Sequence, residues 1–426
     1  MPREFPGPVW QVQMSASSCG VVRVGVDWEA GPVEFCRLTE WNLTRLLMLL
    51  RLLRQLQHVV TALVLLVLLL ISAELWLRNT RPVPPPTVAA QADTADQSCL
   101  VPSPTYHHQM RPLSDMASEN GVIRFRTNSL GLRGPEPQLA APNGTLRVLL
   151  LGDDTVAGTW LREEHTLSTQ LQKYLSAHLE GDVEVVNAGV PGYSPILSVL
   201  KFDQDLTRLR SQVVVLHFDM SDVADESVHR CSLRRQGNRP ICIHPLLTQR
   251  HTKANSLLSY LRSSALARAV GQRFLFSASD AERYDWTRST PKNVRTKIRH
   301  AMDSVADLHA MTQAAGQVFF MATAPVWWQV VAPDENRGLS GRFGITGGHP
   351  VTDDVPFQVL AAWSRQAGVP YCSAVQAFRE FDSPKKFFRS HSPRLSAYGT
   401  ALYASELART ILTAPTPVAG RRRTVH

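Results

Sequence analysis

The chain has 426 residues, 44% of them hydrophobic, and a formal net charge of +9. That length accommodates two or three domains, and that apolar share is enough to build real cores. The positive balance does not point to nucleic acid. Arg and Lys are scattered with no basic stripe or reader motif, and Arg421, Arg422 and Arg423 sit in a basic terminal stretch, residues 414–426, that reads as a disordered tail.

In chain order, residues 1–42 show no clear period, and no fold is assigned to them. Residues 43–58 are rich in Leu and Arg at helical spacing, as expected of a juxtamembrane amphipathic stretch on the inner leaflet. Residues 59–77 (VVTALVLLVLLLISAELWL) carry Glu74 as their only charge. A helix crossing the hydrocarbon core needs about 20 mostly apolar residues, which this run supplies. It lies too far from Met1 and is too long for a signal-peptide core. Arg37, Arg45, Arg51 and Arg54 precede it, against Arg78 and Arg81 after it. That excess predicts a single-pass protein with its N-terminus cytoplasmic and its C-terminal part extracytoplasmic. Residues 78–99 read as a Pro/Ala-rich linker.

In this topology Cys19 and Cys36 stay reduced, while Cys99, Cys231, Cys242 and Cys372 lie where disulfides persist. Cys231 and Cys242 flank a polar, turn-like segment (SLRRQGNRPI) and are the disulfide candidate. No Cys/His spacing suggests zinc, so neither a metal nor a cofactor is expected.

Residues 100–413 read as one domain. After an irregular lead-in containing RFRTNSLGLRGPE (residues 124–136), strands are predicted at 146–151, 183–186, 213–218, 317–322 and 369–372. Helices are predicted at 164–179, 195–209, 292–315, 356–366 and 396–412, with a polar, Arg-rich insertion at about 225–291. Strands alternating with helices imply a parallel sheet covered on both faces, a three-layer flavodoxin-like α/β domain.

In such sheets functional residues collect on loops at the C-terminal strand ends. Those loops read Gly152-Asp153-Asp154-Thr155, then Asn187-Ala188-Gly189-Val190-Pro191-Gly192-Tyr193-Ser194, then Asp219-Met220-Ser221-Asp222, and finally Ser392-Pro393-Arg394-Leu395-Ser396-Ala397-Tyr398-Gly399. In order and spacing these blocks resemble the SGNH (GDSL) hydrolase family, and TNSLGLRGPE resembles membrane-tethered bacterial members. The resemblance implies that Asp154 stands at the nucleophilic Ser position and that Gly192 keeps the backbone oxyanion donor. It also implies that Ser221 stands at the oxyanion Asn position and Arg394 at the position of the catalytic His.

An Asp has no hydroxyl proton to give up, and its charge opposes a developing oxyanion. An Arg stays protonated and cannot act as base. Asp154 and Arg394 are instead expected to form an ion pair. His391 is the candidate for a shifted base, against a plain loop residue. Thr155 and Ser194 carry hydroxyls but read as turn and helix-cap residues. Trp327 and Trp328 either stack on a sugar ring at the cleft mouth or wedge a loop against the core.

Three functional readings follow. The first is a catalytically impaired, membrane-anchored SGNH-like protein that binds envelope carbohydrate or an envelope protein. The second is an active esterase or acyltransferase on an O-acylated carbohydrate or lipid. The third is a structural or interaction protein.

Overall fold

The computed structural model describes residues 13–16, 22–25, 40–80, 99–117, 123–237, 239–244, 247, 283–287, 294–332, 343, 345, 354–389 and 392–415. The linker that follows the long helix and most of the basic tail lie outside the described residues. Two compact units divide after Val83. The first holds an antiparallel ribbon, β1 (Gln13–Ala16) against β2 (Val22–Gly25), in the segment to which the sequence assigned no fold. It also holds one helix, α1 (Glu40–Thr80). The amphipathic stretch and the apolar run are therefore one continuous rod. At 1.5 Å per residue it is roughly twice the ~30 Å of a hydrocarbon core. It is long and apolar enough to cross a membrane.

In the second unit, two short antiparallel ribbons form the lead-in that the sequence reads as irregular. They are β3 (Leu100–Pro102) with β4 (His108–Met110), and β5 (Asp115–Ala117) with β6 (Arg124–Arg126). The main elements follow as β7 (Leu146–Leu151), α2 (Leu167–His178), β8 (Val183–Asn187), α3 (Pro195–Lys201) and β9 (Val213–His217). Next come α4 (Asp222–Cys231), a hairpin of β10 (Leu233–Gln236) and β11 (Arg239–Cys242), and α5 (Val294–Ala314). The chain closes with β12 (Val318–Thr323), α6 (Val355–Ala367), β13 (Tyr371–Ser373) and α7 (Ala397–Thr413).

The sheet runs β13-β12-β9-β7-β8 with every pair parallel. Counted along the chain this is the 2-1-3-4-5 order of flavodoxin-like folds. β7 and β9 are buried along their whole length, as central parallel strands must be when helices cover both faces. α2 packs on α7, while α3 and α4 pack on α5. The predicted α/β domain is thus the observed one. The helix predicted at 195–209 is shorter than expected: after Lys201 the backbone loosens into a wider turn and then a tight one, ending at Arg210 with φ 47°.

The lead-in is held to this sheet by a buried cation. Arg133, 2% exposed, donates to the carbonyls of Ala157 (3.0 Å), Gly158 and Leu161 (2.7 Å), and its Nε meets Glu163 at 2.9 Å. A planar guanidinium can satisfy this fan of acceptors, whereas an ammonium cannot.

The expected Cys231–Cys242 disulfide is not present, and both thiols are free. Cys231 ends α4 on the exposed side and gives its S–H to the Ser227 carbonyl at 3.2 Å. Cys242, opposite Leu233 in the hairpin, turns inward toward the His229 carbonyl at 3.6 Å. Flanking a turn is not enough for a bridge, because the Cβ vectors must also converge.

Two outcomes follow. Arg133→Ala should lower unfolding stability by about 3 kcal/mol, since it leaves buried carbonyls unpaired, and Arg133→Lys should recover little of it; urea unfolding of the full chain measures both. In the native protein a maleimide should label Cys231 ahead of Cys99, Cys242 and Cys372, which are buried. Burial pushes the Cys242 thiol up to about 11 and the Cys372 thiol up to about 12. Mass spectrometry of labelled peptides reads the order, and equal labelling of Cys242 would contradict the inward placement.

Candidate functional site

β7 and β9 lie side by side, but the chain leaves β7 toward one edge of the sheet and β9 toward the other. Their C-terminal loops therefore part at this point, which is where open α/β sheets form their crevice. After β7, Asp153 caps the one-turn helix Asp154–Ala157, accepting from Thr155 N at 3.3 Å. The block after β8 presses against this turn. Asn187 Nδ2 donates to the Val156 carbonyl at 2.8 Å, and a Cβ on Gly189 would lie 2.5 Å from Ala157 N. Gly192 takes φ +73°, a left-handed conformation open to glycine. After β9 the loop is stitched to itself: Ser221 N donates to Asp219 Oδ1 (2.9 Å) and Asp219 N to Asp222 Oδ2 (2.8 Å).

These loops gather carboxylates. Burial pushes the Asp153 carboxyl well above its ordinary range, and the Asp219 and Asp154 charges push the same way. Asp222 is raised by burial and by Asp153 and Asp219. Burial would raise Asp219 too, but the His217 imidazole beside it and the Ser221 N–H hold it below the usual value. His217 Nε2 lies 3.6 Å from Asp219 Oδ2, while its Nδ1 meets the Tyr403 hydroxyl at 2.7 Å. Thr155 Oγ1 donates to Asp219 Oδ2 at 3.3 Å, so its hydroxyl ties the loop after β7 to the loop after β9 and, among the described residues, makes no turn bond of its own.

Two arginines close the outer side. Arg394 Nη2 lies 3.3 Å from Asp154 Oδ1, with side-chain exposures of 17% and 21%, and its guanidinium stacks 4.6 Å above the Trp160 ring. Trp160 Nε1 in turn donates to the Leu395 carbonyl at 2.9 Å, fixing the loop that carries Arg394. Arg283, from the insertion, pairs with Asp225 at 2.5 Å and donates to Ser221 Oγ at 3.4 Å. Ser221 is 1% exposed, and its oxygen accepts this bond. Trp286 from the same insertion donates to the Met220 carbonyl at 2.6 Å. The arrangement neutralises charge. Among the described residues, Asp154 and Arg394 offer no hydroxyl–imidazole pair with which to start acyl transfer.

The structure brings Asp154 and Arg394 together, with Ser221 held beneath Arg283, and places Gly192 on the neighbouring loop. His391 lies outside the described residues. Trp327 and Trp328 are corrected as ring-stacking residues. They are 1% and 0% exposed, pack edge to face on each other, and Trp328 donates to Thr287 Oγ1 at 3.0 Å. Trp328 wedges the end of the insertion against the core with Trp327 buried beside it, so neither ring is open to a sugar.

The sequence missed several residues. Ser194 does sit at the N-cap of α3, yet its hydroxyl makes no capping bond and lies 2.9 Å from His229 Nδ1 instead. His229 belongs to a group with His107 and His108, and His217 to a group with Asp153 and Asp219. In each group the ligand-capable atoms lie within 4.8 Å of one another. The signal was the His107-His108 dipeptide, in a lead-in too irregular for its partners to be guessed.

No family model matches the chain, and no curated protein does. Solved structures do. They include a lipase/acylhydrolase from Enterococcus faecalis, at 14% identity and TM-score 0.35, covering 66% of this chain and 99% of that one. Another is Axe2, an acetylxylan esterase from Geobacillus stearothermophilus, at 11% identity and TM-score 0.35, covering 62% and 93%. A third is an alpha/beta hydrolase enzyme from the metagenome of Lake Arreo, at 12% identity and TM-score 0.36, covering 62% and 94%. The fold rests on the sheet itself. With its 2-1-3-4-5 order and its loops parting at the strand ends, the parallel-sheet domain of this chain has a flavodoxin-like three-layer α/β fold.

Proposed function

We propose that this chain is a membrane-anchored SGNH-like protein whose hydrolase centre has become an ion-paired structural element, and that it binds or assembles at the cell envelope. The observation that carries this reading is the Asp154–Arg394 pair at the positions where the resemblance puts nucleophile and base. A carboxylate and a guanidinium at 3.3 Å stabilise each other and leave neither free for general base or nucleophilic work. Arg283 adds to it by covering Ser221, which is 1% exposed and accepts the guanidinium's bond at 3.4 Å. The charge asymmetry around the apolar run supports an anchor with the folded domain outside the cytoplasm. An envelope carbohydrate or an envelope protein is then the partner class within reach.

One contact favours the alternative of a working esterase. Ser194 and His229 form a hydroxyl–imidazole pair next to the Gly192 loop. Both are buried, at 1% and 7% exposure, and burial holds the His229 imidazole well below its usual value. A base so weakened draws little proton density from a serine.

Two measurements test the proposal. In a double-mutant cycle on the full chain in detergent, Asp154→Ala and Arg394→Ala should couple by about 1 kcal/mol in unfolding free energy. Strictly additive effects would remove the ion pair as a stabilising element. In an ester-hydrolysis assay with a chromogenic acetyl ester, the wild type should show no turnover above buffer. Wild-type turnover abolished by Ser194→Ala would overturn the proposal in favour of the esterase.

A further inference from the structure

Away from the Asp154–Arg394 pair, the structure draws imidazoles together from segments far apart in sequence. His107 comes from the turn between β3 and β4, His108 from the first position of β4, His229 from the last turn of α4, and His244 from just beyond β11. The backbone builds this meeting. His107 N donates to the Cys242 carbonyl (2.5 Å), Cys242 N to the Thr105 carbonyl (2.8 Å) and His244 N to the Ser103 carbonyl (3.2 Å). His107 itself is held at φ +64°, a conformation that costs a non-glycine residue energy and is kept only where surrounding contacts enforce it. The ring centroid of His107 lies 5.0 Å from that of His108, 5.2 Å from that of His229 and 4.6 Å from that of His244.

We propose that His107, His108 and His229 form a binding site for a late first-row divalent cation of the zinc class, with His244 beside it. The first ground is geometric: one ring nitrogen from each of the three lies within 4.8 Å of the others. The second lies behind the rings. His108 Nε2 faces the Pro191 carbonyl at 2.8 Å, so that nitrogen carries the proton and Nδ1 presents its lone pair to the cluster. His229 Nδ1 faces Ser194 Oγ at 2.9 Å, which leaves Nε2 to point the other way. Metal-binding histidines typically donate their second N–H to a carbonyl or similar acceptor, which fixes tautomer and ring orientation. Imidazole nitrogens without thiolate suit zinc, copper or nickel better than calcium or magnesium.

Some features oppose the cation and bound its affinity. The His107 and His108 Nδ1 atoms are 2.8 Å apart, closer than the about 3.4 Å of two nitrogens on one tetrahedral zinc. His107 must therefore turn slightly or bind through Nε2, and as a half-buried turn residue it can. The buried Lys201 and the Arg283 guanidinium lie near enough to His108 and His229 respectively to disfavour positive charge there. Entry is from the side of His107 and His244, which are both only partly buried. A bound ion would tie the lead-in, the Pro191–Ser194 loop and the end of α4 into one unit.

The test uses the full chain in detergent, purified without a histidine tag, stripped with chelator and titrated with Zn2+. The expected result is about one equivalent bound per chain and a raised unfolding temperature in Zn2+. His107→Gln/His229→Gln should abolish both while unfolding normally in chelator. Ser194→Ala, which removes only the partner behind His229, should weaken binding roughly tenfold. Cobalt in place of zinc should give the visible bands of a tetrahedral nitrogen site. If the wild type binds no more zinc than the double variant, the proposal fails. Should that variant not fold, unchanged zinc affinity in both His107→Gln and Ser194→Ala overturns it equally. The outcome does not depend on the Asp154–Arg394 pair, so it can stand or fall apart from the proposed loss of hydrolysis.

Discussion

Asp153, Asp219 and Asp222 are carried into the core by the strand ends that bear them, and a desolvated carboxylate must be protonated or paired. Much of the domain's upper face can be read as the answer to that constraint. His217 and the backbone of its own loop keep Asp219 charged. Asp153 and Asp222 are driven toward the neutral form by burial and by neighbouring carboxylates, Asp219 and Asp154 for the first and Asp153 and Asp219 for the second. The remaining negative charge, on Asp154 and Asp225, is met by Arg394 from the last loop and Arg283 from the insertion. The insertion is thus bound into the charge balance of the sheet as well as packed on it, with Trp286 anchoring the same loop to Met220.

The parts legible in the sequence were those where one residue class has one physical use. Runs such as Leu146–Leu151 and Val213–His217 have no polar face to show, and buried parallel strands are the economical reading of short apolar runs between helices. The Asp154–Arg394 contact was legible because two opposite charges stand at positions that the resemblance places side by side. The Cys231–Cys242 bridge was not, since spacing around a turn says nothing of which side of the hairpin each thiol faces. Trp327 and Trp328 were ambiguous for a related reason: adjacent large rings serve a cleft or a core equally well, and the packing of Tyr284 and Phe343 decided it. The histidine cluster was out of reach altogether. Its members are brought together by ribbon pairings in segments without periodicity.

The loop from Pro191 to Ser194 joins the two halves of this picture. On one side Gly189, just before it, lets the chain press against the turn that holds Asp154. On the other, the Pro191 carbonyl and the Ser194 hydroxyl orient His108 and His229. A loop with its Pro191 carbonyl and its Ser194 hydroxyl both engaged has little freedom to reorganise around a substrate.

If the proposed reading holds, neither position could support hydrolysis when changed alone. Returning Asp154 to a serine would leave Arg394 stacked on Trp160 without its carboxylate, beside a hydroxyl it cannot deprotonate. Returning Arg394 to a histidine would place an imidazole against Asp154, where the charge would favour a protonated ring that is no base. Each half-step removes a stabilising partner and gains no chemistry. On that reading the pair is held by its own electrostatics, and hydrolysis at this site would require both positions to change together.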